Sequence, residues 1–237
     1  MSLISVSECA KNNNNLVYIN ESLSDLFFKK EQCEFSSDKD IYFANFYVDD
    51  DLFPVAGEEI ADKIADVICV AYKYEYFEDE IMLGGLKSLD KEILLSSLIS
   101  ADIDDDKRYV KSVLNFGSKI SLDGFYNFRI APLRRKWREI IGYIPSYFTE
   151  GELKEFVSYL IGEKRGRKVY VENEKVYDRR YNRLKRSDLI PQGKGLKLVK
   201  EVLLSGAGEV LVKGKIPEKD EKYLKEYFGE KILLVRG

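Results

Sequence analysis

The chain has 237 residues, 45% of them apolar and 33% charged. These are globular proportions, and the length suits one large domain or two small ones. There is no His, and the three cysteines (Cys9, Cys33, Cys69) form no C-x-x-C pair. That composition excludes His-based general bases and Cys/His zinc sites, and it argues for a reducing compartment over a disulfide framework. The net charge of −3 is uneven: residues 1–110 carry −14 and residues 111–237 carry +11. Such asymmetry points either to a charged partner or to halves that share an ordinary solvated surface. No run of 18 apolar residues occurs, and the opening Met1–Glu8 lacks a basic n-region before an apolar stretch. A cytoplasmic protein that does not engage the membrane is expected.

In chain order, Asn12–Asn15 reads as a polar loop and Leu16–Ile19 as a strand. Asn20 is placed to cap a helix over Glu21–Lys30. Ile41–Val48 is rich in β-branched and aromatic residues and predicts a second strand, ended by Asp49–Asp51 and Pro54. Glu58–Phe77 spaces Ile60, Ile64, Val67, Ile68, Ala71 and Tyr74 at three and four, a core-facing helical stripe with Gly57 just before it. Asp90–Ala101 and Asp104–Phe116 repeat that period, with Gly117 as a stop signal. Leu122–Tyr143 continues as helix, bent or broken near Pro132.

Thr149-Glu150-Gly151-Glu152 is a capping box before Leu153, Phe156, Val157 and Leu160. The period then changes. Val169–Val171 and Lys175–Tyr177 flank Glu172-Asn173-Glu174, which predicts a hairpin. Leu196–Leu204 is a short helix, Glu209–Lys213 a strand, Glu218–Phe228 a helix stopped by Gly229, and Lys231–Val235 a last strand; the order suits a βαβ crossover. The fold class is α+β, with a predominantly helical middle and small sheets made by the N-terminal strands and by the C-terminal hairpin plus βαβ unit. The expected organisation is a small mixed segment 1–56, a helical region 57–164 and an α/β region 165–237, the last two either separate or one compact unit.

Three kinds of constellation bear on chemistry. The acidic runs Asp49–Asp51 and Asp102, Asp104, Asp105, Asp106 lack the spacing of a calcium loop, and helix-start preference accounts for the second without a metal. No metal or cofactor is assigned. Pro191–Lys197 leads into a helix, and Gly193, Lys194, Gly195 and Lys197 are candidate phosphate ligands. The Walker and G-x-G-x-x-G patterns are absent, and a flexible turn is the alternative. Basic stretches carry Arg134, Arg135 and Arg138, then Arg165 and Arg167, then Arg179, Arg180 and Arg183, interleaved with Trp137 and Tyr181. Guanidinium groups beside aromatic rings suit nucleic acid, while a solvated surface and a core Trp137 account for the same residues without a ligand. No catalytic residue can be singled out.

The segment Ile120-Ser121-Leu122-Asp123-Gly124-Phe125-Tyr126-Asn127-Phe128-Arg129 resembles the I-x-L-x-G-F-x-x-F-R signature of the YtxC-like sporulation family of endospore-forming bacteria. The flanks, the Glu152–Leu160 helix and the order of the C-terminal elements are similar too, so the resemblance covers residues 57–237. Where the family continues from the signature Arg into Leu-Lys, this chain has Ile130-Ala131-Pro132. The resemblance implies a role in sporulation and a cytoplasmic location, and it transfers no catalytic residue. Within the signature, Leu122, Gly124, Phe125, Phe128 and Arg129 are the residues of interest. Gly124 allows close approach of another backbone. Phe125 and Phe128, three apart, are expected to enter the core together. Arg129 is either a buried ion-pair partner or a ligand contact. The leading expectation is a non-enzymatic sporulation protein working through an unknown protein partner. Nucleic-acid binding is the alternative, and a phosphate-ligand enzyme a weaker one.

Overall fold

Ile4 and Val6 alternate with Ser5 and Ser7, so one face of the first segment is apolar and the other hydroxylated; it forms strand β1 (Ser2–Cys9). The structure is a computed structural model describing residues 1–9, 14–23, 32–114, 119–162, 167–191 and 195–235. It is α+β, and the chain divides into two compact units: Met1–Lys73 with Asp104–Ile140, and Tyr74–Ile103 with Ile141–Gly237.

In the first unit, β1 pairs with β3 (Ile41–Val48), which pairs with β2 (Cys33–Asp38), all antiparallel; β4 (Lys119–Ser121) joins β1 in parallel. The sheet order is β2-β3-β1-β4. Ile4, Val6, Ala44, Phe46 and Val48 face inward, where α1 (Asn14–Ser22) packs through Leu16 and Ile19. The segment Leu16–Ile19 is therefore helical, not a strand, and Asn20 lies inside that helix instead of capping another. Its buried residues Asn15, Leu16, Tyr18 and Ile19 fall on one helical side, and the sheet beneath supplies the surface they bury against. The helix expected over Glu21–Lys30, the loop Asn12–Asn15 and the stop at Gly117 fall wholly or partly outside the described residues.

Pro54 does not end the preceding strand; it sits in the first turn of α2 (Phe53–Asp66), where a missing N–H costs nothing. Gly57 is inside this helix. The helix runs on through a π-helical stretch, Val67–Tyr72, into α3 (Lys73–Glu80). Helix α4 (Ser88–Val113) joins the two helices expected from sequence, with Asp102 at φ −126°, ψ 18° interrupting it. Helices α5 (Leu122–Phe128) and α6 (Ala131–Gly142) come next, separated just before Pro132 as the sequence suggests.

One carboxylate organises this unit. Lys73 and Asp106 are both fully buried and pair at 2.7 Å. Trp137 Nε1 donates to the same oxygen at 2.9 Å, and Lys136 Nζ donates to the other at 2.8 Å. The Lys73 ammonium also lies 5.5 Å from the Trp137 ring centroid. Nearby, Lys107 bridges Asp66 at 2.8 Å and Asp62 at 3.1 Å.

The second unit holds α7 (Glu150–Gly162), whose capping box forms as read: Glu152 N–H donates to Thr149 Oγ1 at 3.2 Å and Thr149 N–H to Glu152 Oε2 at 2.8 Å. Strands β5 (Lys168–Glu172), β6 (Lys175–Tyr177) and β7 (Arg183–Leu184) form an antiparallel meander. Its first turn puts Asn173 and Glu174 at φ 51° and 60°, the left-handed pair that a two-residue hairpin requires. Helix α8 (Lys197–Leu204), β8 (Glu209–Lys213), α9 (Glu218–Phe228) and β9 (Ile232–Val235) complete it. The sheet order is β7-β6-β5-β8-β9, with β5, β8 and β9 parallel. Val169, Val171, Val176, Val210 and Val212 form its buried face, and α8 and α9 contact the sheet. A second buried ion pair, Lys200 to Glu92 at 2.9 Å, ties α8 to α4 within the unit.

Burial by itself would push the Asp106 carboxyl up, but Lys73, Lys136 and Trp137 hold it below the ordinary carboxylate value. The folded state therefore binds this proton less readily than the unfolded chain. Its stabilisation is full above the ordinary Asp value of about 4 and is lost as pH falls through the lower folded value. Asp106→Asn leaves Lys73 buried without its counter-charge and is expected to cost about 3–5 kcal/mol in urea unfolding at neutral pH. It should also flatten the acid limb of the stability curve. An acid limb identical to that of the unaltered protein would refute this account.

Candidate functional site

Each strand of the C-terminal sheet turns alternate residues outward, and the register brings those of different strands into rows. One row runs Arg183, Tyr177, Tyr170, Leu211, Leu233, with one residue from each of β7, β6, β5, β8 and β9. The next runs Lys175, Glu172, Lys213, Val235. Parallel strands usually bury both faces. Here Tyr170, Tyr177, Leu211 and Lys213 are only half-buried, and Arg183, Leu233 and Val235 are exposed.

A turn between β6 and β7 adds a third tyrosine to this face. Asp178 Oδ1 accepts the backbone N–H of Arg180 at 2.7 Å and of Asn182 at 2.9 Å, and Asn182 Nδ2 donates to Asp178 Oδ2 at 3.1 Å. Tyr181 N–H donates to the Asp178 carbonyl at 3.0 Å, and Asp178 N–H to the Asn182 carbonyl at 3.0 Å. Locked this way, Tyr181 takes φ 62°, a conformation that a bulky residue adopts only when its surroundings impose it. Its ring stacks on Tyr170 with centroids 5.2 Å apart and an interplanar angle of 21°, and lies 5.8 Å from Tyr177. Lys213 Nζ donates to the Tyr181 hydroxyl at 2.6 Å and sits 5.8 Å and 5.4 Å from the Tyr170 and Tyr181 ring centroids. The Tyr181 hydroxyl raises the affinity of that amine for its proton, so Lys213 stays charged. Tyr181 remains 49% exposed, and Arg179 and Arg180 beside it are exposed. The result is a stacked aromatic pair with Lys213 against it, Arg183 in the same row, and two exposed arginines in the adjoining turn.

The other basic residues are placed differently. Arg134, Arg135 and Arg138 lie on α6 of the first unit; Arg134 sits 4.9 Å from the Tyr126 ring centroid, and Arg135 and Arg138 are exposed. Trp137 is in the core. Arg167 is half-buried and donates to the Ser205 carbonyl at 3.0 Å, against Gly206 (φ 67°), where an added Cβ would lie 2.8 Å from Arg167 Nη1. Arg165, Gly193 and Lys194 lie outside the described residues.

The start of α8 does not gather phosphate ligands among the described residues. Lys197 is paired with Asp188, and the Asp220 carboxylate accepts the Val199 N–H, so an anion already occupies that helix end. The cavity of about 270 Å³ beside Gly195 is lined by Lys175, Arg183, Lys185 and Lys197, matched by Glu174, Asp188, Glu201 and Asp220. Such a lining has no excess of positive charge to hold a phosphate. Among the described residues no three Cys, Asp or Glu side chains converge as metal ligands would.

The signature is split by burial. Leu122 and Phe125 are buried, but Phe128 is 83% exposed, contrary to the expectation that both phenylalanines enter the core. Helix α5 ends at Phe128, so no further turn carries that ring inward. Arg129 is exposed and makes no ion pair among the described residues. Gly124 faces a side chain, not another backbone: its N–H donates to Ser121 Oγ at 3.1 Å, the N-cap of α5. Between them, the Asp123 carboxylate accepts from Cys9 N–H at 2.7 Å and from Tyr72 OH at 3.1 Å. Tyr72 OH also lies 3.1 Å from Glu8, and burial with these two carboxylates pushes its phenol strongly up. The signature thus fastens α5 to β1 and to the π-helical stretch.

The sequence singles out Arg179, Arg180, Arg183 and Tyr181 as one stretch, but not the contacts of Tyr181 with Tyr170, Tyr177 and Lys213. The alternation in Lys168–Glu172 was the available signal. No family model matches the chain, and no curated protein or solved structure matches it.

Asp178→Ala should free the turn without unfolding the sheet. The expected result is faster hydrogen exchange at the Arg180 and Asn182 amides with a stability loss of only about 1–2 kcal/mol. Unchanged exchange would mean that the Asp178 side chain does not hold the turn.

Proposed function

We propose that this chain is a cytosolic nucleic-acid-binding protein and that its role belongs to sporulation. The observation that carries the binding reading is the outward face of the C-terminal sheet, where Lys213 lies against the Tyr170–Tyr181 stack, Arg183 pairs opposite Tyr177 in the same row, and the exposed Arg179 and Arg180 precede Tyr181 in its turn. Guanidinium groups take phosphate oxygens bidentately, and aromatic rings offer bases a surface of matching size. The excess of +11 in residues 111–237 favours approach of a polyanion despite the net acidity of the whole chain. The resemblance of Ile120–Arg129 to the YtxC-like signature supports the process.

Fluorescence anisotropy with labelled mixed-sequence DNA and RNA tests the binding reading. Affinity should fall steeply between 50 and 200 mM salt, in the way phosphate contacts dictate (slope of about −0.7 per contact on single strands). Joint reversal of Arg179, Arg180 and Arg183 to Glu should weaken binding at least tenfold, roughly 1.4 kcal/mol. Absence of binding to either polymer at low salt would defeat it.

A protein partner is the second reading, favoured by the 83% exposure of Phe128 beside the exposed Arg129. Exposed aromatic and Arg side chains are the usual anchors of protein interfaces. In a spore former, Phe128→Ser with Arg129→Glu should then reduce heat-resistant spores while leaving nucleic-acid affinity and Tm unchanged. A normal spore count from that variant counts against this reading.

A further inference from the structure

Resting on the nucleic-acid reading, we infer that the ligand of this face is single-stranded, and that the turn Asp178–Arg183 is its recognition element, with a base stacking on the exposed part of Tyr181. The ring of Tyr181 is backed on one side by Tyr170 at 5.2 Å and is 49% exposed. Tyr177 at 5.8 Å and Lys213 at 5.4 Å flank the ring as well, and its exposed half is where one more flat ring would stack. The hydroxyl held by Lys213 at 2.6 Å and the hydrogen bonds to Asp178 fix the ring before the ligand arrives, so little ordering remains to be done on binding.

Duplex DNA or RNA cannot use this stack, because its base faces are stacked on one another. What a duplex presents is phosphates and groove edges. A major groove of B-DNA takes a helix or a two-stranded ribbon, not the face of a five-stranded sheet. Unstacked bases present their faces, and single strands are read by aromatic side chains for that reason. Arg179 and Arg180 precede Tyr181 in the same turn, and Arg183 shares the row of Tyr177 and Tyr170. The phosphates on either side of the stacked nucleotide would therefore meet guanidinium groups from within five residues of chain.

The test compares a labelled 12-nucleotide single strand with a hairpin duplex of the same composition, by anisotropy at fixed salt. The unaltered protein should favour the single strand at least tenfold. Tyr181→Ala should weaken single-strand binding by a factor of about ten, within the range known for loss of one stacked base, and leave duplex binding alone. Tyr181→Phe, which keeps the ring, should restore most of the single-strand affinity. Thermal melts confirm that each variant is folded. If the single strand and the duplex bind equally and Tyr181→Ala changes neither, while reversal of the three arginines still abolishes binding, the stacking inference falls and the nucleic-acid reading stands. If the unaltered protein binds neither probe at low salt, both fall.

Discussion

The first unit depends on the fully buried carboxylate of Asp106. Two buried charges without hydration are unfavourable unless every donor and acceptor is met, and here the three donors Lys73, Lys136 and Trp137 share the two oxygens. The arrangement ties the start of α3, the second half of α4 and the middle of α6 to one point. The π-helical stretch Val67–Tyr72 helps make this possible. Its wider turn shifts the register of the helix beyond it, so that Tyr72 meets Glu8 and Asp123 while the adjacent Lys73 meets Asp106. Two neighbouring residues thereby hold two different sets of elements. The interaction is more a device of specificity than of net stability: an apolar cluster would be easier to bury but would not demand one pairing.

The second unit divides its sheet differently. Valines from β5, β6 and β8 build the inner face, and the outer one is given to tyrosines, lysines and exposed aliphatic residues. What makes that outer face a candidate site is the Asp178 turn, not the strands. Its polar groups are satisfied locally, so it needs no packing to hold its shape, and the left-handed Tyr181 is directed onto Tyr170. An aromatic ring held in a left-handed backbone conformation and still half in solvent is placed at a conformational cost.

Legibility followed the length of each periodic pattern. The α2 stripe, the capping box of α7, the hairpin and the strand–helix–strand at the C-terminus were visible because each repeats a period or carries a local turn signal. Leu16–Ile19 failed because four contiguous apolar residues fit either period, and the sheet under α1 made the choice. Strand β4 has three residues and exists because β1 offers it hydrogen-bonding partners. Phe128 failed for a geometric reason: its three-residue spacing from Phe125 is right, but the helix stops there. The stretch 179–186 is legible as arginines interleaved with Tyr181, whereas its relation to Tyr170 and Lys213 is not, since Tyr170 and Lys213 are brought to it by strand register.

The sequence by itself determined the α+β class, most of the helices, the hairpin and the exclusion of His-dependent chemistry. These depend on local periodicity, capping and composition, which act over a few residues. Only the tertiary structure decided that Asp106 is a buried node, that Lys197 pairs with Asp188, and that Arg183, Tyr177, Tyr170, Leu211 and Leu233 form one row. Those facts depend on strand register and long-range packing, in which residues tens of positions apart pair because their backbones share a ladder or their charges share a core.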